Sequence, residues 1–138
     1  MTDVIPISTL KPTSRPRRRL LLVDDNAEGR RALARLLELY GYEVTAVADG
    51  ASALEVLRRT PPPDVLLTDL FLPDLDGRDV ASQSRIIAPA TTIVMITGWD
   101  FGTDAPSCED AGVDLLFLKP VNVTELVTKL KELWDDQS

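Results

Sequence analysis

Residues 20–41 read LLLVDDNAEGRRALARLLELYG, and this stretch decides the fold. Leu20–Val23 is an unbroken apolar run, as required of a strand covered on both faces in a parallel sheet. Asp24 and Asp25 follow, and Asn26 is placed to cap a helix whose inward stripe is Leu33, Leu36, Leu37 and Tyr40 at helical spacing. Gly41 suits the left-handed conformation that ends such a helix.

The same unit of a short apolar run and an amphipathic stretch occurs five times from Leu20 onward. Val65–Leu67, Ile93–Ile96 and Leu115–Leu118 read as further strands buried on both sides. Val44–Val47 alternates more and belongs nearer an edge. Leu54 and Leu57 mark the second helix, which Pro61–Pro63 must stop because proline cannot continue the ladder. The last helix starts at Asn122 with Glu125 at the capping-box position, and its apolar face is Leu126, Val127, Leu130 and Leu133 or Trp134. Gly102, Pro106 and Gly112 leave only a stretch around Ser107–Ala111 for the fourth helix, which is expected to be short or mobile. The alternation predicts an α/β fold, a parallel sheet with helices on both faces. Residues 1–19, with Pro6, Pro12 and Pro16 and no buriable periodicity, read as a flexible basic arm, and 20–138 as one domain.

Composition narrows the function. A chain of 138 residues suits one domain, and 44% hydrophobic with 27% charged residues is ordinary for a globular protein. No apolar run is long enough to span a bilayer, Met1–Lys11 lacks the pattern of a secretory signal, and Cys108 has no partner cysteine. These features point to the cytoplasm and away from membranes. The arm holds five basic residues against Asp3, a balance of +4 that leaves −11 for the remainder of a total of −7. So acidic a body repels phosphate backbones, which argues against nucleic-acid binding by the folded part, and it favours a hard cation. There is no histidine, which removes the commonest general base and any phosphohistidine. If phosphoryl transfer occurs, this chain receives.

The strand ends carry the chemistry. Asp24 and Asp25 follow the first strand, Asp69 the third, Thr97 the fourth and Lys119 the fifth. Parallel strands place their C-terminal ends on one edge, where ligands of such folds bind, so these residues converge. Clustered carboxylates resist ionisation without a cation, and an all-oxygen donor set suits Mg²⁺. Asp69 is then best placed to attack phosphorus in line, with the Lys119 ammonium and the Thr97 hydroxyl binding the incoming group. Asp74, Asp76 and Asp100 read as solvated loop charges. Tyr40, Leu116, Phe117 and Trp134 read as packing, Cys108 as a small buried residue, and Arg15 with Arg17–Arg19 as a solvated linker.

The sequence resembles the response-regulator receiver family across essentially all of residues 20–138. The shared features are Asp24-Asp25, the stretch Asp69-Leu70-Phe71-Leu72-Pro73 closing with Gly77, Thr97-Gly98 and Lys119-Pro120, in matching order and spacing. The resemblance implies a doubly wound, flavodoxin-like five-stranded sheet in order 2-1-3-4-5, for which a receiver protein is a standing example. It further implies Mg²⁺ bound by Asp25, Asp69 and the Phe71 backbone carbonyl, with Asp24 acting through water, and a cis Lys119–Pro120 bond. Partners implied are a histidine kinase or phosphotransfer protein and a downstream protein target, with a phosphorylation-dependent dimer as a further option. This chain departs from the family in having Leu116, not an aromatic, three residues before Lys119. It also has bulky Phe71 and Trp99 two places after Asp69 and Thr97, which are expected to slow dephosphorylation.

The leading expectation is therefore a single-domain regulator phosphorylated on Asp69. Met1 and the acidic Asp135-Asp136 favour a complete chain, against a fragment of a larger regulator or hybrid kinase. A Mg²⁺-dependent aspartyl-phosphate phosphohydrolase would place a second aspartate where Phe71 stands. A phosphorylation-independent interaction domain would have no use for the intact acidic set.

Overall fold

A computed structural model describes residues 17–59, 61–98 and 101–136. The expected arm thus lies outside the described residues up to position 16, as do Trp99 and Asp100. Among the described residues ten elements alternate: β1 Arg19–Val23, α1 Ala27–Leu39, β2 Glu43–Val47, α2 Gly50–Arg58, β3 Val65–Asp69, α3 Gly77–Ile87, β4 Thr92–Thr97, α4 Phe101–Asp110, β5 Leu115–Leu118 and α5 Val123–Asp136. The strands form one parallel sheet in the order β2-β1-β3-β4-β5. The fold is the one the alternation and the resemblance predict.

Strand residues alternate between two cores. Leu21, Val23, Leu66, Ile93 and Met95 face Leu54, Leu57, Val80, Ala81 and Cys108 of α2, α3 and α4. Leu20, Leu22, Val65, Leu67, Val94 and Ile96 face Leu33 and Leu37 of α1 and Leu126 and Leu130 of α5. Every residue of β3 is buried because it lies mid-sheet with helices on both sides. Leu130 is fully buried, so Leu130→Ala is expected to cost about 3 kcal/mol in urea unfolding, from lost transfer energy and the cavity left behind. The same change at exposed Leu39 should cost under roughly 0.5 kcal/mol.

Several expectations are corrected. β5 is half-exposed, not buried on both faces, because the strand order leaves it at an edge. Leu36 and Tyr40 are 44% and 47% exposed. The core takes Leu33 and Leu37, four residues apart, while Leu36 lines a cavity and the Tyr40 hydroxyl meets Thr124 Oγ1 of α5 at 2.7 Å. α4 is not short: it runs ten residues, with Pro106 inside it. Gly102 falls in its first turn and Pro106 in its second, so proline removes one ladder bond without ending the helix.

The basic linker also begins to fold earlier than predicted. Arg19 opens β1 opposite Glu43, and its guanidinium donates to the carbonyls of Pro61 and Pro62 at 2.6 and 3.1 Å. Arg18 pairs with Asp64 at 3.8 Å and stacks 4.1 Å from the centre of the Trp134 ring. Trp134 thereby joins the α1/α5 core, while Leu133 does not.

Candidate functional site

Backbone bonds position the predicted strand-end residues Asp24, Thr97 and Lys119 at the C-terminal rim of the sheet. The Asp24 N–H donates to Val47 O at 3.1 Å, and Asp24 Oδ1 accepts the Asn26 N–H at 2.9 Å. Asn26 Oδ1 in turn caps α1 by accepting the Gly29 N–H at 2.7 Å, as predicted. Arg30, which the sequence does not single out, donates to the Asp24 carbonyl at 2.7 Å and fixes the turn that presents Asp24 and Asp25. On the far side the Lys119 N–H donates to Thr97 O at 2.8 Å, tying the residue after β5 to the end of β4. The Lys119–Pro120 peptide is cis, as the resemblance implies.

Asp69 ends β3 and is only 4% exposed. Leu70 N–H bonds Ile96 O at 2.9 Å, and Gly77 N–H bonds Leu70 O at 2.6 Å, closing the loop immediately after it. A side chain at Gly77 would collide with the carbonyl of Asp69, so this position admits only glycine. Thr97 is buried at the neighbouring strand end, one place beyond Ile96, the register partner of Asp69. Phe71 is 55% exposed in the same loop and bridges to Asp76.

The carboxylates converge. Asp24, Asp25 and Asp69 each offer an oxygen within 4.8 Å of the others, and Lys119 Nζ lies 3.2 Å from Asp69 Oδ1. Burial, and then the charge of Asp24, push the Asp69 carboxyl up from 3.8 to about 6, against the pull of Lys119. Asp69 Oδ2 is buried without a hydrogen-bond partner. An orphaned buried carboxylate oxygen among three clustered carboxylates fits a hard divalent cation, which would remove the mutual repulsion. A cavity of about 640 Å³ opens from this cluster and continues between α1 and α5. Its polar floor is Asp24, Asn26, Asp69 and Lys119, and its outer wall is Leu33, Leu36, Val121 and Val123. The sequence does not reveal that apolar wall, because Leu36 reads there as a core residue.

Two predicted loop charges turn out to be structural. Asp76 caps α3 by accepting the Arg78 N–H at 2.8 Å, and it pairs with the Arg78 guanidinium, which holds its carboxyl below the usual range. Asp74 accepts the N–H groups of Gly50 and Ala51 at 2.8 and 2.9 Å. Leu116 packs toward Cys108 and α4, whereas Phe117 lies on the opposite face with α5, so the aromatic does not occupy the Leu116 side.

A parallel sheet in this order, with an acidic triad and a lysine at the C-terminal rim, makes this a doubly wound α/β protein whose polar site lies where such folds bind ligands. The sequence matches the response regulator receiver domain over residues 20–131, and the chain belongs to that family, as a receiver domain of a two-component response regulator. It is 35% identical over 119 residues to the response regulator receiver protein CpdR of Brucella abortus (strain 2308), covering 84% of this chain and 96% of that one. It is 36% identical over 115 residues to the response regulator MprA of Mycobacterium leprae (strain TN), covering 83% of this chain. The chain spans about half the length of the MprA relatives it matches. Among solved structures, a CheY-like receiver domain protein from Methanospirillum hungatei JF-1 superposes with a TM-score of 0.80 at 30% identity, covering 88% of this chain and 96% of that one. A response regulator from Burkholderia pseudomallei, solved with a phosphorylated aspartic acid, a calcium ion and citrate, gives 0.75 at 25% identity, covering 88% and 73%. Among the described residues no helix is long and apolar enough to cross a membrane.

Proposed function

We propose that Asp69 is the phosphoacceptor of this receiver domain and that Asp24, Asp25, Asp69 and the Phe71 carbonyl hold a Mg²⁺ ion beside it. The observation that carries this reading is the buried Asp69 carboxylate, 3.2 Å from Lys119 Nζ and clustered with Asp24 and Asp25. The phosphorylated aspartic acid and calcium ion of the Burkholderia structure support both halves of it. A carboxylate oxygen of Asp69 attacks phosphorus, the bond from phosphorus to the donor histidine nitrogen breaks, and that nitrogen keeps the electron pair. The product is an acyl phosphate. The cation, when bound, neutralises charge on the phosphoryl oxygens. The Lys119 ammonium binds one of those oxygens and the Thr97 hydroxyl donates to another.

On this reading the chain is a signalling phosphoacceptor and not an enzyme acting on a separate substrate. It works in the cytoplasm, without nucleic-acid or membrane binding by residues 20–138. It takes phosphate from a histidine kinase or phosphotransfer protein and acts on a downstream protein, or relays the group, with a phosphorylation-dependent dimer as one mode of output. Incubation with a small phosphodonor and Mg²⁺, read by intact mass, tests it. One phosphoryl group should accumulate and should fail to do so with a chelator. Turnover without accumulation would mark a phosphohydrolase, and no reaction an interaction domain.

Phe71 stands half-exposed beside the site, where an apolar ring limits the approach of hydrolytic water to the acyl phosphate. Phe71→Asn is expected to shorten phosphate lifetime about tenfold, equivalent to about 1.4 kcal/mol of barrier. Decay of the phosphorylated mass after donor removal measures it. Trp99, which the sequence suggests for the same role, lies outside the described residues.

A further inference from the structure

The two halves of the acidic site sit at different strand ends, Asp24 and Asp25 just after β1, and Asp69 as the last residue of β3 with Phe71 in the loop that follows. The turn between β2 and α2 connects them by hydrogen bonds. Asp24 N–H reaches back to Val47 O, the last residue of β2, at 3.1 Å. Two residues on, Asp49 caps α2 by accepting the Ser52 N–H at 2.8 Å. The first two N–H groups of α2, from Gly50 and Ala51, go instead to the two oxygens of Asp74, in the loop that carries Phe71. Leu75 packs against Gly50 so closely that a Cβ there would lie 2.8 Å from its Cδ1 and 2.9 Å from its Cβ. At its base the loop is closed by Gly77 on Leu70 and by the Phe71–Asp76 bridge.

We infer that Asp74 is a positioning residue for the cation site: its carboxylate clamps the β3–α3 loop onto the N-terminus of α2 and so fixes the Phe71 carbonyl relative to Asp24 and Asp25. The inference rests on the reading of the acidic cluster as a cation site. Three features make it more than a stabilising contact. Asp74 is exposed and contributes nothing to either core. α2 keeps its own cap in Asp49, so the helix survives loss of Asp74. The two bonds from helix N–H groups join segments 23 and 24 residues apart, one of them anchored to Asp24 through Val47. A carboxylate at a helix N-terminus is held ionised by those N–H groups and by the aligned peptide dipoles, and Gly50 and Ala51 keep this carboxyl below its ordinary range.

The test is a Mg²⁺ titration of the full chain followed by amide NMR, in the absence of any phosphodonor. Asp74→Ala should weaken Mg²⁺ binding roughly tenfold, as loss of a residue supporting a metal ligand does. Hydrogen-exchange protection at the Gly50 and Ala51 amides should disappear in the same variant. Asp74→Asn, whose carbonyl still accepts one of the two bonds, should recover part of the affinity. Gly50→Ala leaves Asp74 in place but drives Leu75 away, and should weaken Mg²⁺ binding in the same way; it carries the test if Asp74→Ala fails to fold. Loss of protection at Gly50 and Ala51 with unchanged Mg²⁺ affinity would overturn the inference while leaving the cation site standing. A wild-type chain that binds no Mg²⁺ would overturn the cation site and the inference together.

Discussion

Replacing Asp69 by asparagine is expected to abolish phosphoryl uptake and, in the same molecule, to stabilise the metal-free fold at neutral pH. The first effect follows from removing the proposed phosphoacceptor carboxylate. The second follows from the electrostatics of the carboxylate cluster, where burial and the charge of Asp24 raise the Asp69 carboxyl from 3.8 to about 6. A carboxyl raised by folding contributes stability that is fully present below pH 3.8 and is lost as pH rises through about 6. Above that range the wild-type fold carries an ionised carboxylate that its surroundings disfavour, and asparagine has no such charge. The advantage of the variant should therefore be absent below pH 3.8, grow through the window up to about 6, and then stay level. Its size is on the order of 2 to 3 kcal/mol, because each tenfold change in a proton-binding constant is worth about 1.4 kcal/mol. Added Mg²⁺ should narrow the gap by stabilising the wild type alone. Urea unfolding of both proteins across pH, with and without Mg²⁺, measures this, and a gap that ignores both pH and Mg²⁺ would count against the site as described.

Removing the Lys119 ammonium should slow phosphoryl uptake by roughly a hundredfold, the scale of losing one preorganised charge aimed at a transferring group. Lys119 Nζ touches Asp69 Oδ1 at 3.2 Å, yet the lysine side chain is 50% exposed, so Lys119→Ala leaves both cores intact. It also removes the cation that lowers the Asp69 carboxyl, which should then titrate higher than in the wild type. Lys119→Arg should restore charge but not rate, because a planar guanidinium does not reproduce a compact ammonium at 3.2 Å from a buried carboxylate. Single-turnover uptake from a small phosphodonor, with unfolding curves as a control, separates lost chemistry from lost fold.

The architecture is largely legible in the sequence because its signals are redundant. Leu20–Val23 and Val65–Leu67 announce central strands by being apolar on both faces, and Asn26 and Gly41 bracket α1 with residues that helix ends favour. Convergence at the rim follows from topology, since parallel strands bring Asp24, Asp69, Thr97 and Lys119 to one edge however far apart they lie in the chain. What escapes is set by neighbours that one sequence does not order. An apolar run such as Leu115–Leu118 looks the same at an edge as in the middle, and only the strand order exposes it. Leu36 and Leu37 are equally apolar, and the position of α5 decides which faces the cavity. Asp74 looks like any loop carboxylate because its partners, Gly50 and Ala51, are backbone amides that carry no side-chain signal. Pro106 reads as a helix breaker, yet within the first two turns of α4 it removes a single bond.

Chemical trapping of the modified side chain tests the account most directly. After reaction with a small phosphodonor and Mg²⁺, borohydride reduces an aspartyl acyl phosphate to homoserine, and peptide sequencing locates it. The account predicts homoserine at position 69 with aspartate retained at 24 and 25. Homoserine at Asp24, Asp25 or any other position, or aspartate unchanged throughout, would contradict it.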